Sequence, residues 1–319
     1  MELFKNVPNI DFMGRRRVGF ALSAVLLVLS LGSLLVQGLH LGLDFTGGTL
    51  VETAYEEPVE VAEVKAALQG SAYEDAEVLH FGSSREVLVR VPPLDGVEQS
   101  TVSQQILERL RQDRADATLQ RVEFVGPEVG RELTQKGLLA LLYALGGVLL
   151  YVAFRFEYRF ALGAVAALVH DILLILGFFS LMRLPFDLTV LAAVLATIGY
   201  SLNDTIVVSD RVRENFLKVR KGSTEHIMNL AINQSLSRTL VTSLTTLLVV
   251  GALLLIGGET LRGFSLALLV GIVVGTYSSI FIASASSLAL GVSKQDLMPP
   301  EKEGADQPDQ TGMPPSSRS

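Results

Sequence analysis

The sequence predicts a membrane protein of six transmembrane helices, with one small α+β domain between the first helix and the second. Three observations carry that prediction. Only 18% of the 319 residues are charged, below the roughly one quarter usual in soluble domains, and the mean hydropathy is +0.43. Charge is also segregated: residues 21–35 and 247–256 carry none, whereas 52–132 is dense in acids. Finally, six apolar stretches each approach or exceed the ~20 residues that cross a bilayer. They are 18–36, 137–154, 160–182, 188–208, 239–256 and 263–290, the fifth drawing on residues from 236 onward.

In chain order, residues 1–17 form a short segment ending in Arg15, Arg16 and Arg17. Basic residues before an apolar run also mark signal peptides. Here the run 18–36 is long enough to span, and no small-x-small cleavage site ends it, so it reads as an uncleaved first helix. Residues 37–135 are the soluble insert. Within it 49–54 alternates as a strand, and 58–68 puts Val61, Val64, Ala67 and Leu68 on one helical face. Strands at 77–81 and 86–91 are joined by the turn residues Gly82, Ser83 and Ser84. Val102, Ile106 and Leu110 mark a second helix, and 119–125 is a last strand. The order βαββαβ is that of the ferredoxin-like split βαβ arrangement. Residues 136–291 hold the other five helices. They include a connector at 209–236, in which 210–219 reads as a charged interfacial helix stopped by Gly222. The tail 292–319, rich in Pro, Gly, Ser and charge, has too little apolar surface to fold and reads as disordered.

Lys and Arg give the orientation. With the N-terminus in the cytoplasm, four basic groups fall inside: Lys5 with Arg15, Arg16 and Arg17; Arg155 with Arg159; Arg211, Arg213, Lys218, Arg220 and Lys221; and Lys294 onward. The short loops opposite hold only Arg183 and Arg262. That positive-inside pattern places both termini in the cytoplasm and the inserted domain outside it. A net charge of −7 argues against a nucleic-acid partner. The absence of Cys removes disulfides, thiol catalysis and Cys-based zinc sites. No nucleophile–base pair, metal cluster or nucleotide fingerprint is present, so nothing in the sequence supports an enzyme or a bound cofactor. The run Gly42-Leu43-Asp44-Phe45-Thr46-Gly47-Gly48-Thr49 lacks the Lys and the following helix of a phosphate loop. It reads as a tight turn docking the domain to the first helix.

Few residues inside the predicted helices can ionise: His170 and Asp171 in the third, Asp204 in the fourth, and Arg238 at the inner edge of the fifth. A charged side chain at mid-membrane costs about 2.5–3.5 kcal/mol on insertion scales and faces a bundle interior or a wet cavity. Thr197, Tyr200, Ser201 and Asp204 form one polar stripe, opposite Leu195, Ile198, Leu202 and Ile206. Asp204 and Arg238 lie at similar depths on antiparallel neighbours, which allows an ion pair. Desolvation favours the neutral acid and a nearby guanidinium the carboxylate, so Asp204 is the candidate proton carrier and Arg238 its counter-charge. Thr197, Ser201, Asn203 and Thr242 are candidates for a hydrated path or for helix contacts. Thr242, Ser243, Thr245 and Thr246 either line water or bond back to helix carbonyls. His170 and Asp171 point ~100° apart on a helix and so cannot chelate one metal together; proton relay and interhelical hydrogen bonding stand about even for them. Gly271, Gly275, Ser279 and Ala283 make a small-xxx-small stripe, a sign of close packing and none of chemistry.

These residues carry a resemblance. Ile10-Asp11-Phe12, the Gly42–Thr49 run, Leu168-Val169-His170-Asp171, and Ile198 through Val208 leading into Asp210-Arg211 resemble the SecF family of the bacterial SecDF accessory translocase. So do Arg213-Glu214-Asn215, Arg238-Thr239-Leu240 with Thr242-Ser243, and Gly275 through Ser284. The resemblance spans nearly everything from Asn9 to Leu290. It implies half of an RND-superfamily transporter in the bacterial inner membrane, with a ferredoxin-like periplasmic domain, for which SecD supplies the matching half. It further implies work beside SecYEG, where the proton-motive force helps draw unfolded preproteins outward after SecA has pushed them in. The positions matching Asp204 and Arg238 are then proton-pathway residues, and protons are the coupling ion. Two rival readings remain: half of an RND-like exporter of small molecules or lipids, and a passive assembly subunit in which Asp204 and Arg238 are structural glue. A lone half counts against the exporter.

Overall fold

The structure, a computed structural model, describes residues 7–93, 99–219 and 221–293. Lys5, Arg220 and the tail from Lys294 onward therefore lie outside the described residues, and with them part of the orientation argument and the expected disorder of the tail. Helix α1 spans Arg16–Val36. The inserted domain follows: a one-turn helix α2 (Leu43–Thr46), then β1 (Gly48–Ala54), α3 (Val61–Leu68), β2 (Glu77–Phe81), β3 (Ser83–Val91), α4 (Gln99–Asp113) and β4 (Thr118–Val125). The sheet order is β2-β3-β1-β4 with every pairing antiparallel, the order that two interleaved split βαβ units produce. Alternation does the sorting. Val51 of β1 and Val87, Val89 and Val91 of β3 point to one face, where Val64 and Leu68 of α3 and Val102, Ile106 and Leu110 of α4 cover them.

Five further long helices form the rest of the bundle. They are α5 (Pro127–Arg155), α6 (Tyr158–Leu181), α7 (Leu188–Lys218), α8 (Thr224–Ile256) and α9 (Gly258–Ser278). The last continues through a π-helical segment, Ser279–Ser284, into α10 (Ala285–Ala289). Six helices among the described residues are thus long and apolar enough to cross a membrane. Three of them run ten residues or more past their apolar stretches. Helix α5 begins at Pro127, ten residues before the expected start; with Pro at its first position it follows β4 after Gly126 alone. The expected connector at 209–236 is no loop: α7 runs on to Lys218 and α8 begins at Thr224, leaving a five-residue turn that contains Gly222. The charged helix expected at 210–219 is the end of α7. Apolarity reports where a helix meets lipid, and hydrogen bonding carries it further.

Helices α6, α7 and α9 are the most buried spans and α1, α5 and α8 surround them. Small residues let the backbones approach: Gly271 and Gly275 of α9 sit against Thr197 and Ser201 of α7, Gly177 of α6 against Ser30 of α1, and Gly163 of α6 against the Ala283 carbonyl. Before α1, residues 10–14 fold back as a strap along α8. The backbone of Ile10 exchanges two hydrogen bonds with the Asn233 side chain, and Met13 N–H donates to Asn229 Oδ1 at 2.9 Å. Met13 is fully buried in a cluster with Val208, Val212, Phe216 and Met228.

The glycine-rich run docks the domain, but not on the first helix. Gly42 N–H donates to the Phe186 carbonyl and Phe186 N–H to that of His40, both at 2.7 Å, while Asp44 Oδ2 accepts from Leu188 N–H at 3.0 Å. Gly130 of α5 abuts Gly47 and Phe45, and Thr134 Oγ1 donates to the Phe45 carbonyl. The partners are thus the α6–α7 turn and the base of α5. Gly47 and Gly48 hold φ of 70° and 121°, conformations open to Gly without a Cβ penalty.

Candidate functional site

Helix α7 is 31 residues long and starts from Asp187, whose side chain accepts from Val190 N–H. Its buried stripe carries Thr197, Ser201 and Asp204 toward the bundle centre. Both oxygens of Asp204 are occupied by hydroxyls from different helices. Thr239 Oγ1 of α8 donates to Oδ1 and Ser279 Oγ of the π segment donates to Oδ2, each at 2.6 Å. A buried carboxylate is tolerated only with such partners.

Asp171 of α6 forms a second buried carboxylate. Its Oδ2 accepts from Ser201 Oγ at 2.5 Å and from Ser278 Oγ at 2.8 Å; its Oδ1 lies 3.0 Å from His170 Nδ1. The neighbours Ser278 and Ser279 thus serve one carboxylate each, at the point where α9 passes from α to π geometry. Widened turns of this kind occur often at functional sites. Each serine also has a backbone acceptor in reach: Gly275 O at 3.1 Å for Ser278 and Thr276 O at 3.0 Å for Ser279.

The sequence-predicted residues are brought together in part. Asp204 is where expected, but its ion pair with Arg238 is not formed. Arg238 is exposed, and among the described residues no ion pair includes it. The reason is angular: adjacent positions on a helix diverge by about 100°, and α8 turns Thr239 inward, which turns Arg238 outward. Ser201 serves Asp171 instead of Asp204. Thr197 bonds back to the Ala193 carbonyl at 2.9 Å and packs on Gly271. Asn203 is exposed, as is Thr242, which bonds back to Arg238 O at 3.0 Å; Thr245 and Thr246 back-bond likewise. Ser243 instead accepts from Tyr200 OH at 3.1 Å and meets Thr276 Oγ1 at 2.7 Å. Among the described residues no group of three or more His, Asp or Glu is placed to hold a metal.

Sequence reasoning misses three donors: Thr239, Ser278 and Ser279. The small-residue stripe marks Ser279 only for packing, and the structure corrects that by giving it a carboxylate to serve. The signal available for the two serines is the run of hydroxyls Thr276, Tyr277, Ser278 and Ser279 after the apolar part of the helix.

Comparison with known proteins places this geometry in a family. The family described as "Protein export membrane protein SecD/SecF, C-terminal" matches residues 105–293, and the "SecD/SecF GG Motif" matches 32–59, the region of the glycine-rich run. The chain is 50% identical over 297 residues to the protein translocase subunit SecF of Pseudomonas aeruginosa, covering 92% of this chain and 96% of that one. It is 50% identical over 308 residues to the SecF subunit of Vibrio alginolyticus, covering 96% and 98%. A crystal structure of SecDF from Thermus thermophilus, a translocon-associated membrane protein, superposes with a TM-score of 0.81 at 41% identity. There the match covers 91% of this chain and 39% of that one, so this chain spans well under half of the solved SecDF polypeptide. A SecDF structure in the super-membrane-facing form matches with a TM-score of 0.68 over 90% of this chain. On these grounds the chain, a multi-pass membrane protein, belongs to the SecD/SecF family of protein-export membrane proteins, on its SecF side.

Proposed function

We propose that this chain is the SecF half of a SecDF translocase of the bacterial inner membrane, and that it uses the proton-motive force to draw preproteins through SecYEG to the periplasmic side. In this reading both termini are cytoplasmic, the inserted domain is periplasmic, SecD supplies the other half of the bundle, and SecA acts from the cytoplasm. Asp204 is the proton carrier. The observation that carries the reading is the combination of a buried Asp204 and an exposed Arg238 one residue before its donor Thr239. The hydroxyls supply the acid's hydrogen bonds and Arg238 acts on it only through its charge at a distance, so the guanidinium can approach or withdraw as the two halves move. A charge that comes and goes beside a buried carboxyl group alternately favours its ionised and neutral forms. One proton crossing ~150 mV releases roughly 3.5 kcal/mol, enough to bias a two-state domain movement. The two superpositions, at TM-scores of 0.81 and 0.68, support a fold that adopts more than one arrangement.

The test is Asp204→Asn in the complex with SecD. Asparagine keeps the shape and accepts from Thr239, but carries no exchangeable acid proton. The expected outcome is loss of proton-dependent export stimulation with the complex still assembled. If export stimulation survives, the carrier assignment is wrong. If the complex instead falls apart or melts early, Asp204 is structural glue and the chain a passive assembly subunit.

A further inference from the structure

Beside Asp204 the bundle holds a second acid–base pair for which proton carriage by Asp204 has no task. The side chains of His170 and Asp171 are 3% and 2% exposed. With Nδ1 donating to Asp171, a neutral imidazole carries its lone pair on Nε2. That atom is sealed from solvent and has no hydrogen-bond partner among the described residues. Asp171, by contrast, is fully engaged, with Ser201, Ser278 and His170 on its two oxygens. The pair therefore has one open position, and it is basic.

We propose that Nε2 of His170 is a second proton-binding atom of the bundle, that Asp171 is its fixed counter-charge, and that Ser278 and Ser279 couple it to Asp204. The second half rests on Asp204 being the proton carrier; the first does not. Binding transfers a proton from a hydronium ion, admitted when the packed helices part, to the Nε2 lone pair; one O–H bond breaks and a water molecule is left, and release is the reverse. The imidazolium so formed stands against the Asp171 carboxylate, making a neutral pair in place of a lone buried anion. Among the described residues the ionisable groups presented to this region are few. They are Asp171 on α6 itself, Asp204 from α7 with the charge of Arg238 from α8 acting on it, and Tyr277 from α9, whose ring lies 6.3 Å from that of His170. From α1 come the Ser23 hydroxyl and the Gly19 carbonyl, both bonded to Tyr277 OH. Protonation of either site changes what its serine prefers, and each serine has a backbone carbonyl to turn to. Because the two serines are consecutive, a response at one site is felt at the other. Ser201 and Ser278 are positioning residues here, acting through Asp171.

The experiment uses the full chain assembled with SecD in lipid vesicles and labelled with ¹⁵N-histidine. The chain has four histidines, and His170→Gln identifies the signal by its disappearance. Nε2 is expected to pass from bare to protonated on acidification, with Asp204→Asn displacing the midpoint of that change. A single Nε2 state from pH 5 to pH 8 overturns the proton-binding assignment. A midpoint untouched by Asp204→Asn overturns the coupling. Should Asp204→Asn fail to assemble, Ser279→Ala breaks the link while keeping both acids, and the midpoint in that variant decides the coupling in the same way. Proton flux that persists in Asp204→Asn sinks the carrier reading alone, since the spectrum of His170 decides its own case.

Discussion

At the scale of single residues, the site works by division of labour among hydroxyls. A Ser or Thr in a helix ordinarily bonds back to its own carbonyls, as Thr197, Thr242, Thr245 and Thr246 do. Thr239, Ser201, Ser278 and Ser279 instead donate to carboxylates on other helices. What separates the groups is whether a carboxylate lies within reach, which no helical wheel reports. Thr239 gives the cleanest test. Thr239→Val keeps the shape and removes the donor from Asp204 Oδ1, leaving that oxygen buried and unmet. The expected cost is about 1.5–3 kcal/mol for a hydrogen bond to a charged group, read as a lower melting temperature of the purified complex. Thr239→Ser should recover most of it. Equal melting of the Val variant and the parent would mean that Asp204 does not depend on this hydroxyl.

At the scale of elements, the strap before α1 is held by side-chain amides on α8 and by one acid of its own. Asp11 Oδ1 accepts from Gly14 N–H at 2.9 Å and from Asn229 Nδ2 at 2.7 Å. The backbone bond from Gly14, then the Asn229 bond, hold its carboxyl below the usual aspartate value of 3.8. The sign follows from that direction. The folded strap binds the ionised form better than the free chain does. Its contribution is therefore complete above about pH 4 and disappears as pH falls through the lowered value. Amide exchange at Met13 and Gly14 should accelerate on that acidification, while exchange in the core of α6 stays slow; an exchange rate in the strap that ignores pH would remove Asp11 from its support. The strap also shows what a sequence conceals. The six spans are legible because lipid demands about twenty apolar residues in a row, and the sheet order because alternation and turn residues are local. The extensions of α5 and α8 are not legible, and that of α7 is legible as a helix but not as a continuation of the span. Glu128, Arg131 and Lys136 read as solvated surface whether they stand on a loop or on a helix. The π segment leaves no local signal at all. Asp204 stands out because a lone acid in an apolar run is costly; its real partners hide because hydroxyls are not.

At the scale of the whole molecule, the proposed mechanism requires force generated in the bundle to reach the inserted domain, and several ties through the base of α5 and the α6–α7 turn can carry it. Gly126 alone separates β4 from α5, so the sheet is mounted almost directly on a transmembrane helix. The glycine-rich run adds the Asp44–Leu188 bond and the contacts of Gly47 with α5. His40 adds a third tie: its carbonyl accepts from Phe186 N–H at 2.7 Å while its ring meets Glu77 of β2 at 3.0 Å. A domain held this way turns with α5 and the α6–α7 turn, and does not drift on a tether. Gly130 is where that coupling is most easily broken without touching the acids. A Cβ there would lie 2.9 Å from Gly47 N and 3.1 Å from Phe45 O, backbone atoms that cannot swing aside. Overpacking of this kind costs roughly 1–3 kcal/mol, and the strain falls between domain and bundle. Gly130→Leu should therefore uncouple the machine, with proton flux persisting in vesicles and export stimulation falling sharply. Gly146→Leu is the control, on the same helix but with open space around its Cβ, and should leave both activities as they were. If flux and export decline together in Gly130→Leu, or if neither changes, the domain does not take its motion through the base of α5.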